Sequence, residues 1–139
     1  MAEGGAARSL ETNPFHLGRG ATATPQPAFP QDERAMQWYA DYSARNAADG
    51  PEGRLVSCYR FVESWPSWEM HPAGAEVVIC TEGSMTLLQD DGSGEVTRTR
   101  LAAGEYAINP PGMWHTADVE HEARAIFITS GEGTQHRPR

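Results

Sequence analysis

No stretch of this 139-residue chain approaches the roughly 18 consecutive apolar residues needed to cross a bilayer, so no membrane partner is expected. The first residues, Met-Ala-Glu-Gly-Gly-Ala-Ala-Arg, lack the apolar core of a signal peptide, and a cytoplasmic location is expected. Cysteine is scarce. Cys58 and Cys80 are far from a C-x-x-C spacing, which argues against a thiol-based zinc site and for two small buried hydrophobes. Positive charge is also short: a formal net charge of −8 disfavours nucleic acid or an anionic membrane as partner and is read as a solubility feature. There is no phosphate loop, no Ser-His-Asp arrangement, no paired acids in a glycosidase context and no internal repeat.

What is present is punctuation. Fourteen Gly and ten Pro in a chain of this length point to one domain built from short strands and many turns. Residues 1–31 read as an arm rich in Gly, Ala, Thr and Pro, anchored by Phe15, Leu17 and Phe29, with the first dozen residues expected as a loose tail. Asp32 to Ala47 reads as a short helix with Asp32 as N-cap and Gly50-Pro51 as its stop. Met36, Tyr39, Ala40 and Ser43 fall on one face, and Trp38 and Tyr42 widen the apolar side. The segment 1–53 is thus expected to pack on the rest of the domain or on a second copy of it.

From Arg54 the rhythm is that of strands. Expected strands run from Leu55 to Val62, Glu76 to Thr81, Met85 to Gln89, Glu95 to Leu101, Glu105 to Asn109, His115 to Val119 and Arg124 to Thr129. Asp90-Asp91-Gly92-Ser93-Gly94 is a strong hairpin signal. Short strands with turns between them indicate a closed barrel or jelly roll over residues 54–130, leaving 131–139 as a C-terminal tail.

Metal-ligand residue types cluster beside two of these turns. Glu69 and His71 are two apart, which on a strand puts both side chains on one face. Pro72-Ala73-Gly74 then breaks the strand, so Glu76 can re-enter on the same side, with Val78 and Cys80 sharing its face. His115 follows Pro110-Pro111-Gly112. Two carboxylates and two imidazoles in one pocket suit a divalent iron, manganese, zinc or nickel ion. The competing reading is a barrel without metal. There Glu69 and Glu76, as like charges about 4 Å apart, would cost several kcal/mol, and one would protonate, turn to solvent or pair with an arginine such as Arg60. Tyr106, Val78 and Cys80 are candidate pocket residues, with core packing the simpler reading of Tyr106 and Cys80. Trp65, Trp68 and Trp114 could line a wall or pack it. His16, His121 and His136 read as surface residues.

At these residues the chain resembles the cupin superfamily, and in particular its small single-domain members. Glu69-x-His71-x4-Glu76-x6-Gly83 follows the spacing of the first cupin motif, G-x5-H-x-H-x3,4-E-x6-G. Gly104-x5-Pro110-x-Gly112-x2-His115 follows the second, G-x5-P-x-G-x2-H-x3-N. The resemblance implies an all-β double-stranded β-helix with an N-terminal arm and one short helix. It also implies that Glu69, His71, Glu76 and His115 occupy the metal-ligand positions. Three positions depart from the motifs: Glu69 stands for the first histidine, Glu63 for the leading glycine and Val119 for the closing asparagine. With Glu69 as ligand, a divalent site becomes formally neutral and a weaker Lewis acid. The family includes dioxygenases, isomerases, epimerases and decarboxylases as well as noncatalytic sensors. The expectation is therefore a small-molecule ligand with no catalytic residue assigned, either turned over or only bound, in a protein expected to be a homodimer to which the arm contributes.

Overall fold

Alternating side chains from Arg54 onward fold into two antiparallel sheets that share one long strand. The computed structural model describes residues 6–139, so residues 1–5 of the expected arm lie outside the described residues. The elements are β1 (Phe15–Gly18), β2 (Thr22–Pro25), α1 (Ala35–Arg45), a 3-10 segment (Ala47–Glu52), β3 (Arg54–Phe61), β4 (Ser67–Met70), β5 (Glu76–Asp90), β6 (Val96–Ala102), β7 (Tyr106–Asn109), β8 (Trp114–Asp118), β9 (Ala123–Thr129) and β10 (Gln135–Pro138). The first sheet runs β7-β5-β9-β3-β1-β2 and the second β6-β5-β8-β4-β10. This is the expected all-β jelly roll with one short helix.

The 15-residue strand β5 replaces the two strands expected at Glu76–Thr81 and Met85–Gln89. Its first half pairs with β7 and β9, and its second half with β6 and β8. Glu76, Val78 and Cys80 are buried in the first half, Met85 and Leu87 in the second. Side chains alternate with a period of two, so passing from even to odd inward positions requires one extra residue. The register shift between Cys80 and Glu82 supplies it, a bulge that turns the strand from one sheet into the other. Gly83 follows at φ +69°, where a Cβ would lie 2.0 Å from the Glu122 carbonyl oxygen. Behind this corner lies the core of Val78, Cys80, Met85, Leu101, Ala117, Val119, Ala123, Ala125 and Phe127. Both cysteines are free and buried, as expected.

The arm packs on its own barrel. β1 pairs with β3 and extends the first sheet. Glu11, in the segment expected to be loose, meets Arg124 at 2.5 Å. The helix is shorter than expected, and Asp32 does not cap it. Its carboxylate instead accepts from the Arg34 backbone N–H and guanidinium, and the N-cap position falls to Arg34 without a side-chain bond. The buried face also shifts. Met36 is 73% exposed, whereas Trp38 is buried, donates its indole N–H to the Pro27 carbonyl and stacks on Tyr42. The larger aromatic surface sets the rotation of the helix. His16, expected at the surface, is buried between the Tyr42 hydroxyl on Nδ1 and Asp49 on Nε2, each at 2.6 Å, and ties β1 to the helical segment. The tail expected after residue 130 ends in a strand, β10, on the edge of the second sheet against β4.

Gly83→Ala is expected to destabilise the chain by at least ~1–3 kcal/mol in denaturant unfolding, because both the backbone conformation and the Glu122 contact resist a Cβ. Gly92→Ala, at φ +89° with open space around it, should cost less, since only the backbone objects.

Candidate metal centre

Strand register assembles the site. On the inner face of the second sheet, His136, Glu69, His115 and Gln89 lie in one row across β10, β4, β8 and β5. His71 follows the last residue of β4, and Gly112, in the Pro110-Pro111-Gly112 turn, donates its N–H to the His71 carbonyl at 3.0 Å. Glu76 opens β5 and faces Asn109 across the pair with β7. The four residues expected from the sequence as ligands therefore meet. Ligand atoms of Glu69, His71 and His115 lie within 4.8 Å of one another. Glu76 bridges the two rings, with Oε2 3.1 Å from His71 Nε2 and Oε1 3.1 Å from His115 Nε2. Glu69 Oε1 is 3.7 Å from His115 Nε2.

The outer nitrogens of both rings are already committed. His115 Nδ1 lies 3.2 Å from the Met113 carbonyl, which can only accept, so Nδ1 carries a proton. His71 Nδ1 lies 2.8 Å from Thr134 Oγ1, whose own hydrogen goes to the Gly131 carbonyl, so this nitrogen also donates. In the neutral rings each Nε2 is then a lone pair. Both Nε2 atoms are buried and have no aligned hydrogen-bond partner among the described residues. Buried polar atoms are rarely left so. Two lone pairs converging with two carboxylates form a donor set that fits a divalent ion.

Glu76 is the deepest of the acids, 3% exposed. Oε1 accepts from Asn109 Nδ2 at 3.1 Å and Oε2 from Thr129 Oγ1 at 2.6 Å. Gln89 in turn donates to Asn109 Oδ1 at 2.8 Å, which fixes the amide orientation. Burial pushes the Glu76 and Glu69 carboxyls up, but the imidazoles facing them prevail and hold both below the ordinary range. Asn109, Thr129, Gln89 and Thr134 carry no signal in the sequence that marks them for the site. Asn109 immediately precedes Pro110 of the second motif, but its role emerges only through its pairing with Glu76.

Other expectations separate here. Trp65 lies inside, its ring 6.3 Å from that of His115 and 5.4 Å from Phe61. Trp68 and Trp114 instead clasp the Arg137 guanidinium. Val78 and Cys80 point inward into the core below Glu76. Tyr106 is 65% exposed, because its partner in the register, Ile79, lies on the outer face of β5, opposite in parity to Glu76 and Val78; it does not line the interior. Arg60 also lies outside, where it pairs with Glu122, Glu82 and Glu11 and is not the partner of the site's acids. The phenol of Tyr59 meets that of Tyr39 on α1. Burial raises the pKa of both, so they are held protonated, and the Tyr59 ring lies against Phe127 of the aromatic wall.

Burial lowers the basicity of His115, but Glu69 and Glu76 outweigh it and carry the ring to about 9. For a group raised in the folded state, the stabilisation is complete below its unfolded value of about 6.5 and is lost as pH rises through 9. The depressed acids act in the opposite sense, and their stabilisation is lost as pH falls below the unfolded carboxylate value of about 4.3. The metal-free chain should therefore show its highest melting temperature between these limits and a decline from about pH 7 to 10. Calorimetric scans of the stripped protein would check this, and His115→Gln should flatten the alkaline decline.

Among solved structures, the chain is similar to recombinant oxalate oxidase in complex with glycolate, at 18% identity and TM-score 0.51, over 59% of this chain and 45% of that one. It is similar to Peruvianin-I, a cysteine peptidase from Thevetia peruviana latex, at 21% identity and TM-score 0.50, over 61% and 56%. A cupin-2 domain containing protein from Shewanella frigidimarina aligns at 22% identity and TM-score 0.47, over 62% and 71%. The chain thus spans less than half of the oxalate oxidase, and at these identities the likeness concerns the fold alone. No curated protein sequence matches. The cupin domain family matches residues 62–131, half of the chain and both turns that carry the cluster, and the chain belongs to that family.

Proposed function

We propose that this cupin holds one divalent metal ion with Glu69, His71, Glu76 and His115 and acts on a small organic molecule at that ion. The observation that carries this is the convergence of the buried Nε2 atoms of His71 and His115, neither with an aligned hydrogen-bond partner among the described residues, on the carboxylates of Glu76 and Glu69. Without an ion, protonated His115 offsets the charge of Glu76; with Nδ1 of each ring already directed to Thr134 or Met113, a bound ion would take the place of the Nε2 proton. When bound, the ion would polarise a substrate oxygen or, if iron or another redox metal, support oxygen chemistry. The chain's own contributions are a closed wall of Trp65, Phe61 and Phe127, and the two phenols of Tyr39 and Tyr59 held protonated beside it.

We further propose that the chain is a homodimer through the outer face of the first sheet. Two cross-strand rows lie there, Ile108–Val77–Ile128 and Tyr106–Ile79–Ile126. Tyr106 and Ile108 are 65% and 51% exposed, an apolar edge that an isolated domain would have reason to cover. The arm continues this sheet through β1, which supports a contribution of the arm to the interface.

Elemental analysis of tag-free protein should find near-stoichiometric metal, and His115→Ala should remove it. Metal in the wild type with no turnover of any candidate substrate would make the chain a binding module, and no metal after reconstitution with iron, manganese, nickel and zinc would end this reading. For assembly, light scattering of Ile108→Lys should show a monomer with unchanged metal content; a wild-type monomer would remove the dimer.

A further inference from the structure

The family match ends at residue 131, yet two contacts that organise the cluster come from beyond it. Thr134 accepts from His71 Nδ1, and His136 Nε2 lies 3.1 Å from Glu69 Oε2. β10 makes the second possible by pairing with β4 so that His136 lies opposite Glu69, and Thr134 is held in the turn just before it by the Gly131 carbonyl. Of the four cluster residues, Glu69 has the most open side chain, at 31% exposure, and it stands where the family's first motif has a histidine. Its two oxygens face opposite ways: Oε1 toward His115 and Oε2 toward His136. The other three side chains are held from within the matched region or by Thr134, whereas His136 is the one hydrogen-bond donor on Glu69 among the described residues.

We propose that strand β10 is the positioning element of this metal centre, and that His136 compensates for the replacement of the usual ligand histidine by Glu69. The proposal rests on the metal-centre reading. A partly exposed carboxylate has several rotamers, and only some aim an oxygen at His71, His115 and Glu76. The His136 N–H, donated to Oε2, selects the one that leaves Oε1 for the ion. The imidazole is not lost from the row; it has moved one strand outward and acts through the carboxylate. His136 is therefore a positioning residue, and its own nitrogen lies on the oxygen that faces away from the centre. Partners behind a ligand typically contribute 10- to 100-fold to metal affinity.

The test is a titration of the stripped full-length chain with Mn(II) against a competing chelator, with the melting temperature of each metal-free variant as control. His136→Ala should weaken Mn(II) binding roughly 10-fold with little change in metal-free melting, and His136→Gln, which keeps an N–H donor, should recover most of the loss. Glu69→Gln should weaken binding at least as much, and the double variant Glu69→Gln/His136→Ala should be no weaker than Glu69→Gln alone. Wild-type affinity in His136→Ala would overturn the proposal while leaving the metal centre standing. A double variant much weaker than Glu69→Gln would also overturn it, by showing that His136 binds the ion directly. Failure of the wild type to bind Mn(II), Fe(II), Ni(II) or Zn(II) would overturn the metal centre and this proposal together.

Discussion

Glu76 carries a negative charge into the closed interior of the barrel, and the rest of the site is arranged around keeping it there. A carboxylate buried to this depth is costly by several kcal/mol unless its oxygens are met by donors or cations. Asn109, Thr129 and the two histidine rings meet it from both sheets. Asn109 is held by Gln89, His71 by Thr134, and His115 by Met113. Each contact therefore orients the next, from the sheet edge at β7 to the strand edge at β10. A network of this kind is stable only when every member is satisfied. The two Nε2 atoms, 3.1 Å from Glu76 but without an aligned hydrogen bond, are for that reason its most informative atoms.

The long strand β5 turns this local chemistry into architecture. Its first residue is Glu76 and its inward row on the second sheet ends at Gln89, so one strand contributes to both sides of the cluster. The bulge before Gly83 reverses which parity faces inward and lets a single strand bury Val78 and Cys80 in one sheet and Met85 and Leu87 in the other. From the other side, ring contacts run from Trp38 on α1 through Tyr39, Phe29, Tyr59, Phe127 and Trp65 to His115. The helix and arm are thereby packed against the wall of the site and not only against the outside of the barrel.

Much of this is legible in the amino-acid sequence. Turn chemistry places most barrel strands to within a few residues, and the two Pro/Gly turns mark where the four ligand-type side chains enter. The points at which the fold departs from that pattern share a cause. The even-to-odd switch in β5 looks, in one dimension, like a break between strands. The spacing of Met36, Tyr39, Ala40 and Ser43 points to one helix face widened by Trp38 and Tyr42, but only its aromatic side turns inward, with Trp38 buried and Met36 exposed. His16 and His136 have polar neighbours in sequence, yet one is buried against Tyr42 and the other is set opposite Glu69 by a strand of which the tail gives no hint.

The amino-acid sequence by itself determined the all-β class, the family and the chemical types gathered at the site, because turn residues, strand alternation and motif spacing act over a few neighbouring positions. Only the tertiary structure decided which atoms face one another. Cross-strand register pairs residues tens of positions apart, and a shift of one place would send each side chain to the opposite face. Asn109 on Glu76, His136 on Glu69 and the outward turn of Tyr106 are all consequences of that register, and no local pattern encodes it.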